Sequence, residues 1–151
     1  MKNFFFIFVI LNILLINAVH SKEKNNFFSL KYNKVNVRQG PSSDYPIKFI
    51  YTKKFYPLKI IDSYENFRKI LDISNNSGWI HRSQLSKKKS AINMKDNSLI
   101  FSKPEIYSKP IAIMKIGRLL LIKKCIDEWC KIKTDKYSGW VIKSNLWGFV
   151  D

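Results

Sequence analysis

The segment Gly78-Trp79-Ile80-His81-Arg82-Ser83-Gln84-Leu85 recurs in the second half of the chain as Gly139-Trp140-Val141-Ile142-Lys143-Ser144-Asn145-Leu146. Each copy follows a short run with a strand-like pattern that begins at an aromatic residue, Phe67 in the first half and Trp129 in the second. An internal repeat is interpreted before other patterns because it fixes the number of folding units. The repeat predicts two copies of one small unit.

Each half consists of short β-rich runs that are separated by turn residues. In the first half, an alternating run at 35–38 leads into turn formers at 39–46, and further runs follow at 47–52 and 58–61. After the N-terminal segment, no window of about 11 residues keeps a helical period. Short strands with turn signals between them are typical of a small barrel or sandwich, so the sequence predicts an all-β fold.

The repeat also sets the expected domain boundaries. We expect the first unit at residues 22–86 and the second at residues 91–151. Between them, residues 87–90 contain the run Lys87-Lys88-Lys89, which is typical of a solvated linker. Because this connection is short, we expect the two units to touch.

The first 21 residues have the pattern of a cleavable secretory signal peptide. A basic start precedes an apolar run at 4–16, and Val19 and Ser21 suit the −3 and −1 positions of a cleavage site. The alternative is an uncleaved membrane anchor, but even residues 4–19 fall short of the roughly 20 apolar residues that a spanning helix needs. We therefore expect an exported protein, either periplasmic or secreted.

The two cysteines of the chain, Cys125 and Cys130, flank a predicted hairpin tip at 126–129. Residues that face each other across such a hairpin have Cα atoms about 5.5 Å apart, a distance that a disulfide accepts. In an exported protein, a disulfide is favoured over two free thiols. A metal site needs more ligands than this segment offers, so we expect neither a metal nor a cofactor.

The formal net charge of +16 favours anionic partners, such as an anionic cell-envelope surface. Only four of the 27 basic residues are arginine, the residue that binds phosphates and guanine edges in a bidentate manner. Together with the predicted export, this composition argues against nucleic acid as the partner. The abundance of lysine, asparagine, isoleucine and phenylalanine has a second explanation, which is the drift of an AT-rich genome.

The run Asn36-Val37-Arg38-Gln39-Gly40-Pro41-Ser42, together with the later Gly78-Trp79-Ile80, resembles the signature of a bacterial SH3-like (SH3b) domain. The second half has lost the first element, since 100–104 reads Ile-Phe-Ser-Lys-Pro, but it keeps Gly139-Trp140. Its cysteine-flanked hairpin and its Trp-Gly-Phe ending resemble exported tandem SH3-like proteins of α-proteobacteria. The resemblance implies two tandem SH3-like barrels.

The resemblance also implies that ligands bind between loops, on aromatic side chains, which combine an apolar face with a polar tip. The candidate binding residues on this basis are Arg38, Tyr45, Tyr51, Trp79, Tyr107 and Trp140. Three of these residues also have a structural alternative. Trp79 and Trp140 suit packing between strands, and Arg38 suits support of the neighbouring loop.

We found no catalytic constellation in the sequence. His81 is the one histidine after residue 21, and isoleucine stands at the equivalent position of the second copy. A cysteine nucleophile needs a paired base, and neither cysteine has one nearby in the sequence. The expected function is therefore non-enzymatic binding of peptidoglycan or cell-envelope peptides. The alternatives are a protein–protein adaptor in the periplasm or outside the cell, and an inhibitor or accessory of a cell-wall hydrolase.

The two copies differ in a way that suggests separate roles. The first copy keeps the full signature and tyrosine-rich loops, whereas the second has a predicted disulfide and an aromatic ending. We expect the first barrel to bind and the second to brace it. We also expect Trp147 and Phe149 to pack onto the second barrel.

Overall fold

The computed structural model describes residues 26–150, which form β-strands and two short 3-10 turns at Arg82–Gln84 and Lys143–Asn145. The predicted signal peptide at 1–21 lies outside the described residues. The strands of the first unit are β1 (Phe27–Leu30), β2 (Val35–Arg38), β3 (Ile47–Tyr51), β4 (Pro57–Tyr64), β5 (Phe67–Leu71), β6 (Ser77–His81) and β7 (Leu85–Ser86). Those of the second unit are β8 (Ser90–Asn93), β9 (Ser98–Phe101), β10 (Pro110–Met114), β11 (Leu119–Ile126), β12 (Trp129–Lys133), β13 (Ser138–Ile142) and β14 (Leu146–Gly148).

The two units have the same topology. The first is a seven-stranded antiparallel sheet in the order β3-β2-β6-β5-β4-β1-β7, and the second repeats it as β10-β9-β13-β12-β11-β8-β14. The all-β fold and the duplication are thus confirmed. The predicted linker at 87–90 overlaps the start of β8, because β7 ends at Ser86 and β8 begins at Ser90.

The repeated glycine before each tryptophan is explained by a close approach between strands. A Cβ on Gly78 would meet Val37 Cγ1 and would lie 2.9 Å from the carbonyl oxygen of Arg38 on β2. A Cβ on Gly139 would lie 2.6 Å from the carbonyl oxygen of Phe101 on β9. Because only glycine leaves room for this approach, the Gly-Trp pair marks the point where β6 pairs with β2 in the first unit and β13 pairs with β9 in the second.

Each unit encloses its own apolar core. The core of the first unit is built on the buried residues Leu30, Val35, Val37, Leu58, Ile70 and Ile80. The core of the second is built on Ala91, Ile100, Met114, Leu120, Ile122, Cys130, Ile132, Val141 and Leu146. Equivalent strands supply equivalent core positions, which is the packing counterpart of the repeat in the sequence.

The predicted disulfide is confirmed. Cys125 on β11 and Cys130 on β12 are register partners in an antiparallel hairpin, and their sulfur atoms are bonded. The tip carries Asp127 with a positive φ of 48°, a conformation that aspartate adopts more readily than most residues. The disulfide therefore joins two paired strands immediately below a tight turn.

The two units touch through aromatic side chains. The Phe27 ring of β1 packs edge-on against Trp147 of β14, with centroids 5.0 Å apart, and lies 6.2 Å from the ring of Phe149. Trp147 and Phe149 were expected to pack onto the second barrel. The backbone of this segment does lie there, because β14 pairs with β8. Their rings, however, also contact the first unit, so the end of the chain connects the two units.

Within residues 26–150, no helix is long and apolar enough to cross a membrane.

Candidate functional site

A row of four side chains crosses the sheet of the first unit at the level of the Gly-Trp pair. Arg38 on β2 pairs with Trp79 on β6, Trp79 pairs with Lys69 on β5, and Lys69 pairs with Asp62 on β4. Residues that are paired in this way across antiparallel strands project from the same face of the sheet. A half-buried tryptophan is thereby placed between two cationic residues.

Arg38 also holds the loop between β2 and β3. Its guanidinium Nη1 donates a hydrogen bond of 2.7 Å to the carbonyl oxygen of Tyr45. The Tyr45 ring lies over Gly40, where an added Cβ would come within 2.5 Å of the ring carbons. The signature from Arg38 to Gly40 therefore fixes the position of Tyr45, whose side chain stays 47% exposed.

Beside this row lies a shallow depression of about 470 Å³ that is lined by Trp79. The other lining residues are Gln39, Lys48, Lys69, Ser77 and Gly78. The Lys48 ammonium donates a hydrogen bond of 2.9 Å to the Ser77 carbonyl oxygen, which holds this cation at the rim. The depression therefore offers an aromatic face as apolar contact area, and two ammonium groups and an amide as hydrogen-bond donors.

Lys48 and Lys69, which line the depression, were not among the candidate residues predicted from the sequence. One signal for Lys69 was available. If the two strands before and after the 72–76 turn are paired as a hairpin, Lys69 falls opposite Trp79. Lys48 could not be found in this way, because β2 and β3 are offset by a register shift between Val37 and Arg38. The position of a lysine on a bulged strand depends on the bulge.

The equivalent row of the second unit is closed. It consists of Phe101, Trp140, Lys131 and Lys124, so phenylalanine replaces the arginine and lysine replaces the aspartate. The ammonium groups of Lys124 and Lys131 lie 5.6 and 6.0 Å from the Trp140 ring centroid. Phe101 packs edge-on against Trp129 at 5.4 Å. Trp140 is consequently only 8% exposed, and the two lysine side chains lie over its ring.

The Trp79 row ends in Asp62, where the second unit has Lys124. The carboxylate of Asp62 accepts a hydrogen bond of 2.7 Å from the backbone N–H of the adjacent Ser63, so this short side chain stays beside its own strand. The longer Lys124 side chain of the second unit extends over the Trp140 ring.

Tyr107 lies in the loop between β9 and β10 and is 94% exposed. The backbone hydrogen bonds from Gln39 to Pro46 and from Ser102 to Lys109 align the two loops, so Ser108, and not Tyr107, is the counterpart of Tyr45. The Ser108 hydroxyl donates to the carbonyl oxygens of its own loop, at 2.9 Å from Glu105. The second loop is thus held by a serine hydroxyl, and Tyr107 projects into solvent.

Tyr51 belongs to a different part of the first unit from Arg38, Tyr45 and Trp79. Its hydroxyl donates a hydrogen bond of 3.0 Å to the carboxylate of Asp72, which is 4% exposed. Its ring stacks on Tyr56 with centroids 5.4 Å apart. Burial, reinforced by the negative charge of Asp72, raises the pKa of the Tyr51 hydroxyl well above its usual range. This geometry gives Tyr51 a structural contact at the edge of the core.

His81 caps the 3-10 turn that follows β6. Its Nδ1 accepts the backbone N–H of Ser83 at 3.3 Å, and its ring packs edge-on against Phe67 at 5.2 Å. Within residues 26–150, no group of three histidine, cysteine or acidic side chains is arranged to hold a metal ion.

Two solved structures from Trichomonas vaginalis are similar to this chain. NlpC2 is 16% identical, with 81% of this chain and 47% of that chain covered and a TM-score of 0.37. NlpC1 is 17% identical, with 85% of this chain and 48% of that chain covered and a TM-score of 0.34. The chain spans about half the length of either structure. No curated protein matches the chain.

The family model described as bacterial SH3 domain matches the chain twice, at residues 31–87 and 94–148. Each match falls on one of the two sheets and begins just after its first strand, β1 or β8, and the first match includes Arg38, Tyr45 and Trp79. The resemblance seen in the sequence is thereby confirmed for both units, including the second, which lacks the Asn-Val-Arg signature. The chain belongs to the bacterial SH3 domain family and carries two of these domains in tandem.

Proposed function

We propose that the protein is an exported, non-enzymatic binding module that recognises peptidoglycan stem peptides or similar cell-envelope peptides through its first domain. Bacterial SH3 domains are binding modules, which supports the general class. The single observation that carries the finer proposal is Trp79, which lines the depression and lies between Arg38 and Lys69 in one row, while the same Arg38 is bonded to the Tyr45 carbonyl oxygen. Export rests on the pattern of residues 1–21.

The chemistry of a stem peptide suits this surface. Such a peptide is short, has small apolar side chains and ends in a free carboxylate. The faces of Trp79 and Tyr45 offer apolar contact area, while the ammonium groups of Lys48 and Lys69 stand where a carboxylate would be neutralised. Arg38 acts as a positioning residue, because its guanidinium is already bonded to the Tyr45 carbonyl oxygen.

The difference between the two domains supports the assignment to the first. Trp140 is covered by the side chains of Lys124 and Lys131, and the loop of the second domain holds Ser108 where Tyr45 stands in the first. A ligand would have to displace two lysines to reach Trp140. The second domain is therefore proposed to brace the first.

Sedimentation with purified, salt-washed peptidoglycan tests the proposal. We expect the wild-type protein to be retained at physiological salt, and Trp79→Ala to reduce its apparent affinity at least about tenfold, the effect of losing about 1.4 kcal/mol of binding free energy. Tyr107→Ala is the control, since it removes an aromatic side chain that lies outside the Trp79 row and is 94% exposed. Absence of wild-type retention contradicts wall binding, and a loss confined to Tyr107→Ala would reverse the roles of the two domains.

An adaptor that binds another envelope protein is the second candidate, and one observation favours it. The edge strand β10 exposes Ile111 and Ile113, the latter 67% accessible, and Leu99 of β9 is the register partner of Ile113. An open edge strand with an apolar face is a surface on which proteins pair. Crosslinking from the variant Ile113→Cys would distinguish the peptide-binding module from the adaptor. Capture of an envelope protein favours the adaptor, and capture of wall material alone excludes the adaptor.

A further inference from the structure

A second recessed surface lies between the two domains and involves none of the residues discussed above as binding candidates. It is a cleft of about 460 Å³, and neither domain forms it alone. The first domain contributes Asn33 and the β3–β4 loop at 52–55, and the second contributes the lining residues Arg118, Leu119, Leu121, Lys123, Lys133, Thr134 and Asp135.

The cleft is strongly cationic. Its lining includes Lys53, Lys54, Arg118, Lys123 and Lys133. The acidic group in the lining is the carboxylate of Asp135, which lies 3.4 Å from Arg118. The Arg118 and Asp135 side chains are 48% and 93% exposed, and exposed pairs of this kind contribute little, so an incoming carboxylate can replace Asp135 at Arg118.

The cleft also has an apolar wall. Leu119 and Leu121 alternate along β11 and thus share one face of the strand, about 7 Å apart. Lys123 follows them at a register shift between Ile122 and Lys124, and it lines the same cleft. Lys133 on β12 is the register partner of Leu121. Phe55 lines the cleft from the opposite domain. The wall therefore combines two leucines on one strand face with cationic side chains beside them.

The β3–β4 loop is held in place before any ligand arrives. The Phe55 backbone has a φ of 64°, in the left-handed region that a phenylalanine rarely adopts. Its N–H donates a hydrogen bond of 2.9 Å to the Leu30 carbonyl oxygen, and the Lys54 N–H donates to Asn33 Oδ1. The Lys54 ammonium also lies over the Phe55 ring at 5.0 Å. A fixed loop holds Lys53 and Lys54 at the cleft at a lower entropic cost on binding.

We propose that this inter-domain cleft binds an extended acidic segment of a partner protein, in which glutamate or aspartate residues alternate with apolar residues. Side chains two residues apart on an extended segment repeat at about 7 Å, the spacing of the positions on β11. The leucines and Phe55 favour a polypeptide over a polyphosphate, which has no apolar side chains. The recessed shape favours a chain over a flat membrane surface. This inference stands apart from the proposed stem-peptide site.

Fluorescence anisotropy of the whole protein with a fluorescein-labelled peptide, Glu-Leu-Glu-Leu-Glu-Leu-Glu-Ser, tests the proposal. We expect saturable binding that weakens as salt is raised. The double variant Lys54→Glu/Lys123→Glu changes one exposed cation from each domain, and we expect its Kd to rise at least tenfold. The double variant Lys88→Glu/Lys103→Glu is the control: it alters the net charge equally at exposed lysines outside the cleft, and we expect less than a threefold change. Circular dichroism checks that both variants fold.

Several results would overturn the proposal. They are absence of wild-type binding at low salt, equal weakening by the two double variants, and equal affinity for polyphosphate of matched charge. Equal affinity for a peptide with serine in place of each leucine would remove the role of the apolar wall and contradict it as well. Trp79→Ala is expected to leave this binding unchanged while weakening the apparent affinity for peptidoglycan at least about tenfold, so the two proposals fail independently.

Discussion

Tyr51 and Asp72 form a hydrogen-bonded pair at the edge of the first core. The Asp72 carboxylate also accepts the backbone N–H groups of Ser74 and Asn76, at 2.9 and 2.8 Å, and so fixes the turn between β5 and β6. Burial and the nearby negative charge raise the pKa of the Tyr51 hydroxyl, and burial raises that of Tyr56 as well. Both tyrosines therefore stay protonated in the folded protein at a pH where unfolded tyrosine ionises.

The pH dependence of stability follows from these shifts. Because the folded pKa values are raised, their stabilising contribution is complete below about pH 10, the usual tyrosine pKa, and is lost as the pH rises above it. We expect Tyr51→Phe to lower the free energy of unfolding by about 1.5–3 kcal/mol at neutral pH, the contribution of a hydrogen bond to a charged group. We also expect a shallower decline above pH 10, with the raised pKa of Tyr56 still contributing to the decline that remains. Urea unfolding at pH 7 to 11 measures both, and an unchanged slope would contradict the account.

The candidate site shows which residue-scale features the sequence predicts. The motif places Arg38, Tyr45 and Trp79 together because the Gly-Trp pair and the Asn-Val-Arg run mark two paired strands. The burial of Trp140 was not predictable from its own motif, since it depends on Phe101 and Lys124 at the two ends of its row. The motif thus identifies candidate residues, but their exposure depends on the residues that surround them.

At the scale of elements, local patterns explain which strands the sequence predicts. The alternating residues of β2 and the aromatic starts of β5 and β12 identify these strands directly. The short strands β1 and β7 were not predicted as strands. They pair with each other, and β1 also pairs with β4, so their formation depends on contacts between residues far apart in the sequence. A short segment of this kind carries too few residues for a pattern of its own.

The β11–β12 hairpin allows a prediction about the disulfide. Cys125 and Cys130 close a loop with a sequence separation of 5, so little entropy is removed from the unfolded chain. We expect reduction to lower the free energy of unfolding by about 2 kcal/mol, less than for longer loops. Denaturant unfolding with and without reductant gives this difference, and hydrogen exchange should show its largest acceleration at the hairpin tip. Global unfolding on reduction would show that the disulfide supports the whole second domain.

At the scale of the whole molecule, two separate cores are joined by the contacts of Phe27 with Trp147 and Phe149. An aromatic pair contributes about 0.5–1.5 kcal/mol beyond its buried area. The basic cleft is also lined by both domains, since Lys54 comes from one and Lys123 from the other. We expect the aromatic contact to help hold the two domains in one orientation.

We expect Trp147→Ala to uncouple the two domains. For this variant, tryptophan fluorescence and circular dichroism should give separate unfolding transitions. For the wild-type protein, we expect the two transitions to coincide. Tyr107→Ala, which removes an exposed ring away from the junction, should leave the transitions coincident. Coincident transitions in Trp147→Ala would mean that the remaining contacts between the domains suffice.

In the proposed function, the first domain binds a cell-envelope peptide at Trp79 and at the loop of Tyr45 that Arg38 holds. An NMR titration of the isotope-labelled protein with a soluble stem peptide tests it most directly, because each backbone amide and each tryptophan indole N–H reports separately. The account predicts progressive, saturable shifts at Tyr45, Lys69 and the indole of Trp79, with the indole of Trp140 unchanged. Shifts centred on Trp140 or Tyr107, or no shifts at millimolar peptide, would contradict it.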